Sequence, residues 1–448
     1  MSPDIVFVLA DDLDLRSTDH LPRLRSQVAE PGATFSEALV SLSICCPSRA
    51  TMLTGKYAHN TGVLRNEAPN GGWEAFHRKD EASTLGVAAQ AAGYRTGLFG
   101  KYLNGYPGGD PTFVPPGWTT WAAGADHFIY RQYGYTLNED GRTVHYGHQP
   151  EDYLTDVISA KVQAFLKAST EPALAWVAPT APHNPQIPAV RHLQQFADLP
   201  FPRTPNYDEE DVTDKGPEVR IRNLLSPRDQ RDLAGRWRRR LASMLAVEDL
   251  IQGIIDTQTA RGRLDQTWLV FTSDNGYHLG EHRLTRGKET EFEEDLRVPL
   301  YVRGPGVKAG STIDAMVLNT DIAPTLAAMA GATLPDADGR SWLPWLTGAA
   351  PTSWRDAVLI ERWHEPEQED EGGRAERPVL NAYQGIRTHR WKYVEMEDGF
   401  RELFDLENDP WEMQNALDAH PDVVATLAER LGRLKNCAGQ ACRDAEDR

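Results

Sequence analysis

The chain has 448 residues, 47 of them basic and 65 acidic, for a formal charge of −18. A field of that sign repels nucleic acid and anionic membranes, so any anionic ligand needs a local cluster of cations. The length allows one large core and a smaller one, and no stretch is apolar for long enough to span a bilayer as a helix.

Taken in order, several short apolar runs end in polar or glycine-rich residues. Ile5-Val6-Phe7-Val8-Leu9-Ala10 ends at Asp11-Asp12. It is short, lacks a basic leader and stops at acids, so it reads as a buried strand and not as a signal peptide. Cys45-Cys46-Pro47-Ser48-Arg49 follows, holding two of only four cysteines. Pro47 suits the first turn of a helix, which would leave Cys45 just outside that helix's N-terminus. A helical pattern covers residues 84–92. Thr96-Gly97-Leu98-Phe99 then ends at Gly100-Lys101, and Leu174-Ala175-Trp176-Val177-Ala178 ends near His183. A second helix is expected over 236–259, and Trp268-Leu269-Val270-Phe271 ends at Asp274-Asn275. Non-alternating runs suit strands buried on both faces. Their alternation with helices predicts an α/β fold with a large, mostly parallel sheet flanked by helices.

Residues 321–330 read as another helix and 335–348 as a polar connector. Residues 365–376, acidic and glycine-containing, read as a surface loop. Strands are expected at 385–388, 391–394 and 402–406, a turn at Asn408-Asp409-Pro410 and an amphipathic helix at 423–434. These imply a C-terminal α+β subdomain over 355–448, after a catalytic domain over 1–354. Cys437 and Cys442, in a polar tail, are expected to close a small disulfide loop, which points to an oxidising compartment.

In open α/β sheets, ligands bind at the carboxyl ends of the strands, and here those ends carry Asp, Lys, His, Asp and Asn. Asp11, Asp12, Asp274 and Asn275 offer three carboxylates and an amide oxygen, a hard-oxygen set suited to Ca²⁺ or Mg²⁺. Each alone could be a cap or turn residue. Two paired motifs at two strand ends favour the cation. Cys45 at a helix start, with Arg49 nearby, suits chemistry on an anion. These residues alone equally permit a cysteine nucleophile in acyl or phosphoryl transfer.

The Cys-x-Pro-Ser-Arg segment, running on to Leu53-Thr54-Gly55, resembles the signature of type I sulfatases, in the alkaline phosphatase superfamily. The likeness extends over nearly the whole chain. It takes in Leu9-Ala10-Asp11-Asp12, Gly100-Lys101-Tyr102-Leu103-Asn104, Ala181-Pro182-His183-Asn184-Pro185 and Thr272-Ser273-Asp274-Asn275-Gly276. It continues through Gly287-Lys288, Arg297-Val298-Pro299-Leu300, Gly385-Ile386-Arg387-Thr388 and Glu402-Leu403-Phe404-Asp405-Leu406. The resemblance implies an alkaline-phosphatase-like fold and oxidation of Cys45 to formylglycine by a formylglycine-generating enzyme. It also implies Ca²⁺ (or Mg²⁺) held by Asp11, Asp12, Cys45, Asp274 and Asn275. Arg49 would stabilise the hydrated aldehyde, while Lys101, His183 and Lys288 would contact the sulfate or the leaving oxygen. The reaction implied is sulfate-monoester hydrolysis by a formylglycine-hydrate nucleophile through a sulfo-enzyme intermediate, with His183 as first candidate proton donor.

Many arylsulfatases carry a histidine two positions after the lysine matching Lys101, where this chain has Leu103. Gly-Lys-Tyr-Leu-Asn instead resembles the N-acetylglucosamine-6-sulfatases and extracellular heparan-sulfate 6-O-sulfatases. Tyr57-Ala58-His59-Asn60, Val114-Pro115-Pro116-Gly117-Trp118 and Gly276-Tyr277-His278-Leu279-Gly280 point the same way. The expected substrate is therefore a carbohydrate bearing 6-O-sulfated (N-acetyl)glucosamine. His278 and His282 are secondary candidates for proton transfer. His59, Asn60, Trp363 and His364 are candidates for the sugar, and residues 361–377 a candidate specificity wall. The alternatives are a phosphonate monoester or phosphodiester hydrolase of the same superfamily, and a non-catalytic glycan-binding protein with Cys45 unmodified. A secreted or extracytoplasmic location, its signal peptide absent from this chain, is expected; a cytoplasmic one stays open.

Overall fold

A computed structural model describes residues 2–364 and 381–447. The expected acidic loop at 365–376, and residues 365–377 of the expected specificity wall, lie outside the described residues.

The strands in chain order are β1 (Asp4–Ala10), β2 (Ala33–Phe35), β3 (Ala38–Leu39), β4 (Arg95–Gly100), β5 (Thr120–Gly124), β6 (Thr136–Glu139), β7 (Arg142–His145) and β8 (Ala173–Ala178). They continue with β9 (Thr267–Ser273), β10 (Leu300–Arg303), β11 (Ser311–Ile313), β12 (Val317–Leu318), β13 (Ala357–Arg362), β14 (Tyr383–Thr388), β15 (Trp391–Met396) and β16 (Arg401–Asp405). The helices used below are α1 (Cys45–Thr54), α2 (Leu85–Ala91), α3 (Leu154–Ala168), α4 (Pro227–Ala260), α5 (Ile322–Met329), α6 (Pro421–Leu434) and α7 (Gln440–Glu446).

A mixed ten-stranded sheet runs in the order β11-β2-β10-β9-β1-β8-β4-β5-β6-β7. Its centre, β9-β1-β8-β4-β5, is parallel throughout. Ala10 pairs with Ser273 and Gly100 with Ala178, so the four strands end at one level. The alternation of β1 explains the two-sided burial. Ile5, Phe7 and Leu9 pack with Met52 and Leu53 of α1 and Leu326 of α5 on one face. Val6, Val8 and Ala10 pack with Val247, Ile251 and Ile254 of α4 and with α3 on the other. Each such buried aliphatic contributes roughly 1.5–3 kcal/mol.

The second sheet, β13-β14-β15-β16, is an antiparallel meander. Leu427, Leu431 and Leu434 of α6 pack with Val358, Ile360 and Ile386 of that sheet. The same apolar cluster includes Tyr57 and, from the separate parallel pair β3–β12, Leu39 and Leu318, so the C-terminal sheet packs on that pair.

Four expectations need correction. Cys45 is the first residue of α1, not a residue outside it, because Ile44 supplies the extended cap position. Helix α4 starts nine residues before the expected 236. Ser226 Oγ accepts from the Asp229 N–H while the Asp229 carboxylate accepts from the Ser226 N–H, with Pro227 at the first turn. Residues 335–348 are more than a polar connector, since Trp342 is fully buried against Phe35. The cysteine tail is not a solvated one either: Cys437 and Cys442 are disulfide-bonded, and both are buried in the C-terminal apolar cluster.

Candidate active site

The site gathers where β1, β4, β8 and β9 end. The chain after β1 turns sharply, with Asp12 at φ 67°, a left-handed conformation seldom adopted by a residue with a side chain. That geometry is held by an N–H bond from Asp12 to Asp274 Oδ1 (3.0 Å), and by Arg240, which donates to the Asp12 carbonyl. Backbone strain at such a position is a mark of functional sites.

Helix α1 delivers Cys45 and, one turn on, Arg49 to the same face. Cys45 Sγ lies 3.5 Å from Asp11 Oδ1, 3.8 Å from Asp12 Oδ1 and 2.6 Å from Lys288 Nζ. It is 1% exposed. Burial pushes its thiol far above the ordinary range, and the opposing pull of Lys101 and Lys288 does not restore it. A thiol so protonated is a poor nucleophile.

Arg49 donates from Nε to Asp274 Oδ2 (2.7 Å) and from Nη1 to the Lys101 carbonyl (3.1 Å). Its Nη2 is buried without a hydrogen-bond acceptor. Lys101 Nζ sits 2.8 and 3.0 Å from the two oxygens of Asp11. Lys288 Nζ bonds Asp12 Oδ1. Three carboxylates thus meet three cations out of water. Burial alone would raise Asp11 and Asp12, but Lys101, Lys288 and His183 hold both below the usual carboxylate range. Asp274 goes the other way: burial raises it, against the pull of Arg49.

The donor set fits a divalent cation. Asp11, Asp12, Cys45 and His183 place ligand atoms within 4.8 Å of one another. Asn275, fully buried, donates from Nδ2 to Asp12 Oδ1 (2.8 Å), yet its Oδ1 has no hydrogen-bond partner. A buried carbonyl oxygen left unpaired beside three carboxylates is costly unless a cation takes it.

His183 reaches the cluster from the loop after β8. Its Nδ1 donates to the Asn184 carbonyl (2.7 Å), which leaves Nε2 facing Asp12 Oδ2 at 3.7 Å. Burial lowers its pKa, with Asp12 and Asp11 pulling upward. Tyr130 was not visible as a site residue in the sequence. Its ring packs on His183 at 4.5 Å and under Lys101 at 5.2 Å, fixing both.

Other candidates fall outside the cluster. His278 Nδ1 bonds Asp295 (3.0 Å), and its backbone pairs with Gly287, so it supports the loop that carries Lys288. His282 is fully buried against Phe292, with Nδ1 on Glu209 (2.6 Å). Its companions at metal-ligand spacing are Glu294 and Glu412, not the Cys45 group. His59 and Asn60 bond the Cys437 carbonyl at 3.0 and 2.9 Å and tie the 58–61 turn to the C-terminal tail. Trp363 packs against the small apolar cluster of Leu42, Ile44 and Ala58. His364 is half exposed, 3.8 Å from Glu397.

Family models describe the same chain. The sulfatase model matches residues 3–332, and that of the C-terminal part of N-sulphoglucosamine sulphohydrolase matches 280–437. N-acetylglucosamine-6-sulfatase of Capra hircus is 33% identical across 98% of this chain and 85% of its own length. A protein solved with its substrate D-glucosamine-2-N,6-O-disulfate superposes with TM-score 0.83 and 25% identity, covering 99% of both chains. The phosphonate monoester hydrolase of Agrobacterium radiobacter shares the fold at TM-score 0.74, 23% identity, 97% of this chain and 95% of its own. With a family model spanning most of its length and a relative a third identical end to end, this chain belongs to the sulfatase family.

Proposed function

We propose that this sulfatase removes the 6-O-sulfate of (N-acetyl)glucosamine units in a glycan. The observation that carries the reading is the balanced cluster of three carboxylates and three cations around Cys45, at the strand ends. Asp11, Asp12, Asp274 and Asn275 would hold Ca²⁺, which supplies charge neutralisation for a sulfate ester. Formylglycine made from Cys45 would supply, as its hydrate, one hydroxyl to attack sulfur and a second whose deprotonation would expel the sulfate.

The chain's own residues do the rest. Lys101, Lys288 and Arg49 Nη2, which has no hydrogen-bond acceptor and lies 3.8 Å from Asp11 Oδ2, bind sulfuryl oxygens and polarise the S–O bonds. Arg49, anchored on Asp274, keeps the residue-45 side chain oriented. His183 is the candidate donor to the leaving alkoxide: with Nδ1–H spent on the Asn184 carbonyl, the proton it gives up is one taken on at Nε2, where Asp12 and Asp11 favour the charged ring. Tyr130 keeps that ring and Lys101 in register.

The maturation partner is an enzyme that oxidises Cys45, and the Cys437–Cys442 pair supports an extracytoplasmic location. No helix among the described residues is long and apolar enough to cross a membrane. We also place the boundary between catalytic and C-terminal parts near residue 355.

The test is turnover of glucosamine 6-sulfate, N-acetylglucosamine 6-sulfate and galactose 6-sulfate, with 4-nitrophenyl sulfate and a phenyl phosphonate ester alongside. Preference for the glucosamine esters, lost on chelation and restored by Ca²⁺, is expected. A large preference for the phosphonate would assign the chain to the other hydrolase class. The Cys45 peptide of active enzyme should be lighter by about 18 Da than the cysteine form, as thiol-to-aldehyde oxidation requires. An unshifted peptide would point to the non-catalytic alternative.

A further inference from the structure

In a chain of net charge −18, three arginines beside the active site have no acidic partner. Arg236 and Arg239, on α4, and Arg286, two residues before Lys288, make no ion pair among the described residues, whereas Arg240 pairs with Asp14 at 3.2 Å. Arg236 is half-buried. Its Nη1 donates only to neutral amides, Asn184 Oδ1 (3.0 Å) and Gln186 Oε1 (2.8 Å), on the loop that presents His183. Its Nε and Nη2 have no acceptor among the described residues. One turn along α4, Arg240 lies over the Tyr277 ring at 4.1 Å and donates to the Asp12 carbonyl. Arg236 therefore shares the helix face that reaches the catalytic cluster. Burial lowers its pKa, Tyr277 acts against this, and Arg286, Arg239 and Arg240 add to the lowering. Gathering like charges with no counter-ion is destabilising unless something anionic visits them.

We propose that Arg236, with Arg239 and Arg286 at its rim, forms a second anion subsite, which binds a sulfate or carboxylate group of the substrate other than the ester being cleaved. The guanidinium of Arg236 is held by its two amides with a donor edge free, the arrangement for bidentate capture of an oxyanion. The substrate class is then a sugar carrying at least two anionic groups. This rests on the sulfatase reading above and adds to it a requirement for charge away from the scissile bond.

The test compares wild type, Arg236→Gln and Arg286→Gln on two substrates, N-acetylglucosamine 6-sulfate and glucosamine 2-N,6-O-disulfate. A charge-assisted bond to an oxyanion leads us to expect KM for the disulfate to rise about tenfold or more in Arg236→Gln, with kcat little changed. The mono-sulfate should stay within about twofold on both parameters, and Arg286→Gln should show the same selectivity with a smaller, salt-sensitive effect. Equal losses on both substrates, or none on the disulfate, would overturn the subsite. Equal losses with a lowered melting midpoint would assign Arg236 to holding the His183 loop. If wild type hydrolyses neither sugar, the failure belongs to the sulfatase reading.

Discussion

At the scale of single residues, the two adjacent cysteines differ in what surrounds them. Cys45 faces two carboxylates and Lys288, while the Cys46 side chain turns into the apolar cluster with Ala50 and Val63. Cys45→Ala should abolish turnover with folding intact, whereas Cys46→Ala should keep substantial activity and lose about 1–2 kcal/mol of stability to a small cavity. Assays on the two purified variants, with circular dichroism as the folding control, check this. Cys45, Arg49 and the strand-end acids were legible because they sit in short motifs with their own chemistry. Tyr130, Arg236 and Arg240 were not. Their roles come from contacts across long sequence separations, and no local pattern marks an arginine that lacks an acid.

At the scale of elements, apolar runs were the reliable signal and exposed segments the weak one. The first turns of α4 carry Arg228, Asp229, Arg231 and Asp232, mostly exposed, so no apolar period announced them. The signal that was present, Ser226-Pro227 with Asp229 in the third turn position, is a capping pattern. The hairpin of β6 and β7 also had a readable turn in Asp140-Gly141, both at positive φ. Arg355, just ahead of β13, had no local signal. It is fully enclosed, bonding both oxygens of Asp321 (2.5 and 2.7 Å) and reaching Glu446 of α7 at 2.9 Å. Arg355→Ala leaves buried Asp321 without a cationic partner among the described residues, while Glu446 keeps Arg340 and the Tyr57 hydroxyl, and should cost about 3–5 kcal/mol in urea unfolding. Arg355→Lys should recover only part, lacking the planar fork.

At the scale of the whole molecule, the acidic balance recurs inside the fold. Glu218, buried beside Glu291, is pushed up to about 7 by that burial and by the neighbouring charge. The folded state then keeps a proton that the unfolded chain sheds near 4.5, so stability from this group is full below about 4.5 and is lost as pH rises through about 7. Glu218→Gln should be more stable than wild type at pH 8, on the order of 2 kcal/mol, and indistinguishable near pH 4. Melting midpoints across that range read the difference. The layered α/β class was legible from alternation, yet the tie between the segment after α1 and the C-terminal tail was not, because its partners lie far apart in sequence. The Tyr57 hydroxyl bonds Glu446 (2.5 Å), and His59 and Asn60 bond the Cys437 carbonyl. The segment just after α1 therefore finds its last partners some 400 residues downstream. At about 5–20 residues per second of synthesis, that is a delay of tens of seconds. Cys45 ends 1% exposed, so an enzyme that oxidises it, as proposed above, would have that interval of unsealed chain in which to reach it.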